Sequence, residues 1–155
     1  MSGAFLHFTA QETLALPAGH ILMLNTEERI VTLFHAEYVR AQCRLTYSAM
    51  RLLFLLLLAP NGADYAELLA CLHSKERSLF TATSLTELRE RLAPQIHHWS
   101  SWLKEAEPET VEQALKKVRR VIKERNGLNT LFEKHHFGMT IRVLYGKGYL
   151  LTGAD

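Results

Sequence analysis

The chain has 155 residues, 48% of them hydrophobic and 22% charged, with a formal net charge of +2 and two cysteines. That composition is close to a soluble globular average and allows one domain with a sizeable core. A net charge this small is poor evidence for a nucleic-acid partner, and Cys43 and Cys71 are too far apart for a CxxC motif, so both read as reduced, buried, intracellular thiols. The charge is uneven: residues 1–107 carry nine Lys/Arg against eleven Asp/Glu, and residues 108–155 carry nine against five. The body is slightly acidic and the end is basic.

Residues 1–19 read as an N-terminal extension, without the basic start and cleavage pattern of a signal peptide, and 20–155 as the domain. Ile21–Asn25 and Arg29–Phe34 flank Thr-Glu-Glu and read as a hairpin. In Val39–Leu45 apolar and polar residues alternate, with Val39, Ala41, Cys43 and Leu45 on one side, as in a half-buried strand. Thr46 is a suitable N-cap for a helix running to about Ala59, apolar nearly all round and hence central. Its run Leu52–Ala59 is far shorter than the about 20 residues of a membrane span, and Pro60-Asn-Gly62 ends it.

Asp64-Tyr-Ala-Glu67 is a capping box opening a helix that ends near Leu72 or His73. A second box, Ser84-Leu-Thr-Glu87, precedes a stripe of Leu85, Leu88 and Leu92 that continues past Pro94 as Ile96, Trp99 and Leu103. A third, Thr110-Val-Glu-Gln113, predicts a helix to about Arg125, with Asn126-Gly127 as its stop. At about 100° per residue, Val111, Leu115, Val118 and Ile122 face the core. Gln113, Lys116, Lys117, Arg120 and Lys123 lie opposite, with Arg119 on the flank. Met139–Leu144 and Tyr149–Thr152 read as the strands of a hairpin whose tip holds Lys147 between two glycines.

Three stretches in this order carry a resemblance. Leu45–Leu57 (LTYSAMRLLFLLL), Thr110–Ile122 (TVEQALKKVRRVI) and Ile141–Leu151 (IRVLYGKGYLL) resemble the opening helix, recognition helix and wing of the DNA-binding domain of OmpR/PhoB-type bacterial response regulators and their ToxR/CadC-like relatives. The match covers about residues 20–73 and 108–152. It implies an α+β fold: a winged helix-turn-helix with an N-terminal antiparallel sheet, a C-terminal β-hairpin wing, and a helical insertion at about 74–107 between the second helix and the recognition helix. It also implies a stand-alone, cytoplasmic, nucleoid-associated regulator of transcription. Helix 110–125 would enter the major groove of duplex DNA and wing 142–149 would touch the adjacent backbone or minor groove. Lys116, Lys117, Arg119, Arg120, Lys123 and Lys147 would meet phosphates, Tyr145 would sit at the wing tip, and the Gln113 amide suits an adenine edge. Tyr149 is expected beneath the wing.

The chain departs from the family in five ways. Ala49 stands where the family has Glu, and Tyr145 and Leu150 replace arginines of the wing. Neither a receiver domain ahead of the sheet nor a membrane segment after the domain is expected. The insertion could fold back on its own domain. It could instead offer Leu85, Leu88, Leu92, Ile96, Trp99 and Trp102 to a second copy of the chain or to RNA polymerase. The alternative function is a winged-helix interaction adaptor or anti-regulator acting through 84–106 without DNA. No nucleotide-binding, nucleophile or zinc motif is present, so neither catalysis, a cofactor nor a metal is expected.

Overall fold

The computed structural model describes residues 5–154. The fold is α+β. A four-stranded antiparallel sheet, β1 (Phe5–Thr9), β2 (His20–Asn25), β3 (Ile30–His35) and β4 (Tyr38–Arg44), runs in chain order. Helix α1 (Tyr47–Leu58) follows, then β5 (Ala63–Asp64) and α2 (Tyr65–Leu72). A 3-10 turn (Arg77–Thr81), α3 (Leu85–Arg91) and α4 (Ala93–Glu105) lead to α5 (Pro108–Lys123), α6 (Leu128–Lys134), β6 (Met139–Leu144) and β7 (Gly148–Gly153). The last two strands join β5 in a second antiparallel sheet, ordered β5-β7-β6.

Local chemistry accounts for most of these elements. Thr46 Oγ1 accepts from the Ala49 amide at 3.1 Å and starts α1, whose residues from Ala49 to Leu57 are buried apart from Arg51. The Asp64 capping box is complete: Asp64 Oδ1 accepts from the Glu67 amide at 2.8 Å, and Glu67 Oε1 accepts from the Asp64 amide at 3.0 Å. In the four-stranded sheet Leu22, Leu24, Val31, Leu33, Ala41 and Cys43 face the core. Phe8 of β1 meets Phe54 of α1 edge to face, with ring centres 6.4 Å apart. One continuous apolar core joins this sheet to the helices and the second sheet. No helix among the described residues is long and apolar enough to cross a membrane.

Several expectations need correction. Val39 is 56% exposed rather than inward, because pairing slips at Leu33/Phe34: Leu33 faces Ala41 but Phe34 faces Val39. Residues 5–9, inside the segment read as an extension, form β1 and pair with β2. Helix α5 begins at Pro108, not at Thr110, and Thr110 lies in its first turn. Proline is favoured there because its missing N–H is one that a helix start cannot use. The Ser84 box is split, since Ser84 Oγ takes the Glu87 amide at 3.1 Å while the Glu87 carboxylate turns to the Thr83 amide and hydroxyl. Gly127 ends nothing by itself; with φ of −75° it is the N-cap of α6, a helix absent from the sequence reading.

The insertion folds back on its own domain. Leu79, Leu88 and Leu92 are buried in the common core. Arg89 of α3 donates to Glu67 of α2, a carboxylate only 6% exposed. Arg91 bonds the Ser78 carbonyl, Thr81 and Glu87, which ties α3 to the 3-10 turn. Leu88 and Leu92, offered above as partner residues, are therefore already used inside the chain. Helix α4 lies further out: Ile96, Trp99 and Leu103, like Leu85 at the start of α3, are half-buried against the core, and Trp102 is partly exposed.

Candidate nucleic-acid interface

Helix α5 is amphipathic because its apolar residues recur at three- and four-residue steps. Val118 and Ile122 are fully buried, with Ala114, Leu115 and Val121 half-buried beside them. That anchoring turns the other face outward. Gln113, Lys116, Lys117, Arg119, Arg120 and Lys123 are all exposed. Arg119 pairs with Glu112 at 3.2 Å and Arg120 lies 3.8 Å from Glu124. Among the described residues Lys116, Lys117, Lys123 and Lys147 have no carboxylate within ion-pair distance. Exposed pairs such as those of Arg119 and Arg120 are weak, about 0–1 kcal/mol, and break readily for a stronger anion.

The hairpin tip is built with more constraint. Lys147 N–H donates to the Leu144 carbonyl at 2.9 Å, and Gly146 takes φ of +72° within that turn. The Lys147 carbonyl accepts from the Tyr65 amide at 3.0 Å, at the start of α2. Lys147 is thus held on both sides by its backbone while its side chain stays exposed. Gly148 has a different task. A Cβ there would lie 1.8 Å from the Ala63 carbonyl oxygen, so only glycine lets β7 pair with β5. Tyr145 is 91% exposed at the tip, whereas Tyr149 is buried beneath it and meets Tyr65 edge to face. Burial and the Tyr65 phenol raise the pKa of Tyr149, and the nearby Arg119 guanidinium lowers it. Val118 and Ile122 of α5 belong to the same apolar core as Ile141, Tyr149 and Leu151 of the hairpin strands.

Sequence reasoning missed Asn129 of α6. Its side chain brackets one residue of β6, donating to the Ile141 carbonyl at 2.9 Å and accepting from the Ile141 amide at 2.7 Å. This clamp fixes where the hairpin leaves the helices. Its signal was present but slight: Leu128, Leu131 and Phe132 have helical spacing, which puts Asn129 on a short helix.

Among the described residues no group of three His, Cys, Asp or Glu side chains could hold a metal ion. No family model, curated protein or solved structure matches the chain.

Proposed function

We propose that the chain is a winged-helix protein that binds duplex DNA, with α5 in the major groove and the β6–β7 tip on the adjacent backbone or minor groove. One observation carries this reading: six exposed polar and basic side chains share the outward face of a helix whose inner face is buried in the same core as a backbone-clamped, lysine-tipped hairpin. A major groove admits one α-helix, long basic side chains reach its phosphates, and Gln113 suits an adenine edge. The strand between α1 and α2 pairs with the hairpin, which gives the tip a rigid base. This supports the resemblance to OmpR/PhoB-type domains, as does the order of sheet, central helix, capped helix, basic helix and hairpin. Helix α6 and the insertion at 74–107 are additions to that plan.

A second reading rests on α4, none of whose residues is fully buried. Here the chain would be an adaptor, with α4 and Trp102 against a protein partner, a second copy or RNA polymerase, and no DNA affinity.

Fluorescence anisotropy with a labelled mixed-sequence duplex across a salt series separates the two. The DNA reading expects non-specific dissociation constants of about 10⁻⁶ to 10⁻⁴ M and a log–log slope of about −0.9 per neutralised phosphate. An Arg120→Ala/Lys147→Ala variant should lose about two such units of slope. Equal failure of both proteins to bind at low salt would remove the DNA reading and leave α4 as the surface to pursue.

A further inference from the structure

Beside the face of α5 that carries Gln113 and Arg120, a cleft of about 580 Å³ opens where α1, the end of α2 and α5 meet. Its polar lining comes from four places in the chain: Ser48 and Arg51 of α1, His73 at the end of α2, Ser74 and Lys75 of the following loop, and Lys117 of α5. Among the described residues no carboxylate lines it. Glu27 and Glu76 line a neighbouring hollow that shares Arg51 and Lys75, but among the described residues neither pairs with them.

Three full positive charges converging on one concave surface repel one another, and a carboxylate from the chain would be the ordinary remedy. None is supplied. Arg51 gives one terminal nitrogen to the Leu72 carbonyl at 2.9 Å, while its Nε is sealed from solvent with no hydrogen-bond partner. Helix α1 adds its positive end at Ser48 and has no acidic residue in its first turn. Ser74 Oγ accepts from the Glu76 amide at 3.1 Å, which leaves its own proton free to donate. Partial burial lowers the pKa of His73, and Lys117 and Arg51 lower it further, as expected for an imidazole set among cations.

We propose that this cleft is a binding site for a small phosphorylated ligand, with its phosphate or pyrophosphate group held by Arg51, Lys75 and Lys117 and hydrogen-bonded by Ser48 and Ser74. A planar guanidinium and two ammonium groups suit phosphate oxygens in fork and point-charge fashion. The cleft is wide and open to solvent, with room for a small phosphorylated molecule. The site stands without the DNA reading. Where both hold, Lys117 belongs to each, so the ligand and DNA compete for it.

Inorganic pyrophosphate is the probe, titrated at fixed ionic strength against sodium chloride. His73 stacks on Trp99 with ring centres 5.3 Å apart, and Trp99 touches Trp102, the chain's other tryptophan. Intrinsic fluorescence therefore reports on the cleft directly, and the thermal midpoint gives a second readout. The expected result is a saturable fluorescence change and a raised midpoint, with affinity about tenfold weaker in Lys75→Ala and lost in Arg51→Met. Arg51→Met also removes the bond to Leu72 and can unfold the chain. Lys75→Ala changes an exposed loop side chain and carries the test alone. A response that follows ionic strength rather than the anion, or a Lys75→Ala affinity equal to wild type, would overturn the proposal. So would Lys75→Ala weakening a DNA duplex when pyrophosphate itself does not saturate, because the cleft would then seat a backbone phosphate instead of a free ligand.

Discussion

At Gly146 and Gly148, two residues apart, glycine is required for different reasons, and substitution separates them. Gly146 sits at φ of +72° with open space where a Cβ would go, so Gly146→Ala meets only the backbone strain of a left-handed residue, about 1 kcal/mol. Gly148→Ala drives a methyl group into the Ala63 carbonyl and has to break the β5–β7 pairing, at 2 kcal/mol or more by the order of overpacking costs, roughly 1–3 kcal/mol. Urea unfolding of the two variants should rank them in that order; equal losses would mean that the β5–β7 pairing adds nothing. A second residue-scale expectation concerns His73. Its folded pKa lies below the ordinary 6.5, so the unfolded chain binds its proton first as pH falls. Its contribution is fully present above that value. It declines as pH drops towards the folded pKa and is then constant. His73→Gln should flatten that part of the stability–pH curve from about pH 7 downwards, measured by denaturant midpoints. An unchanged slope would show that His73 is not set among cations as described.

The elements differ in how far they could be read from sequence, and the difference is physical. Caps are local: Thr46 and Asp64 act on amides three residues away, and both are legible. The basic face of α5 is legible for the same reason, since helical spacing alone sorts Val118 and Ile122 from Lys116 and Arg120. Two-residue β5 is not, because a strand that short exists only through Tyr149 and Gly148 of β7, over eighty residues on. Nor is the phosphate-site cleft, which gathers Arg51, Lys75 and Lys117 from three distant segments. The insertion lies between these cases. Its leucine stripe announced an apolar face, but only Glu67 and the core decide that this face turns inward. Arg89 bonds that nearly buried carboxylate while half-exposed itself. Arg89→Ala should therefore cost about 1–2 kcal/mol, discounted for solvent screening. Leu88→Ala, at a fully buried site, should cost about 2–5 kcal/mol. Calorimetry of both variants tests whether α3 is part of the core. Near-zero changes at both positions would mean that the insertion is held elsewhere.

Across the whole molecule the two cysteines report whether the sheet and the helical body are one cooperative unit. Cys43 lies on β4, an edge strand of the four-stranded sheet, and Cys71 lies on α2, where its thiol donates to the Arg51 carbonyl. Burial raises the Cys43 pKa to about 11 and the Cys71 pKa to about 12, so neither supplies appreciable thiolate near neutrality while folded. Labelling therefore measures opening. The apolar core runs without a break from Val31 and Cys43 through α1 to Leu69 and Cys71, so exposing one side strips the other of its packing. Iodoacetamide modification, resolved by mass spectrometry across a urea series, should give both thiols one midpoint, coincident with loss of tryptophan fluorescence from α4. Cys43 reacting at clearly lower urea than Cys71 would mean that the sheet frays from β4 inward while the helices and the hairpin persist. In that case the candidate DNA surface, which lies wholly on the second unit, would stay folded without the sheet. A single midpoint requires the opposite: α5 and the hairpin would lose their geometry whenever the N-terminal sheet opens.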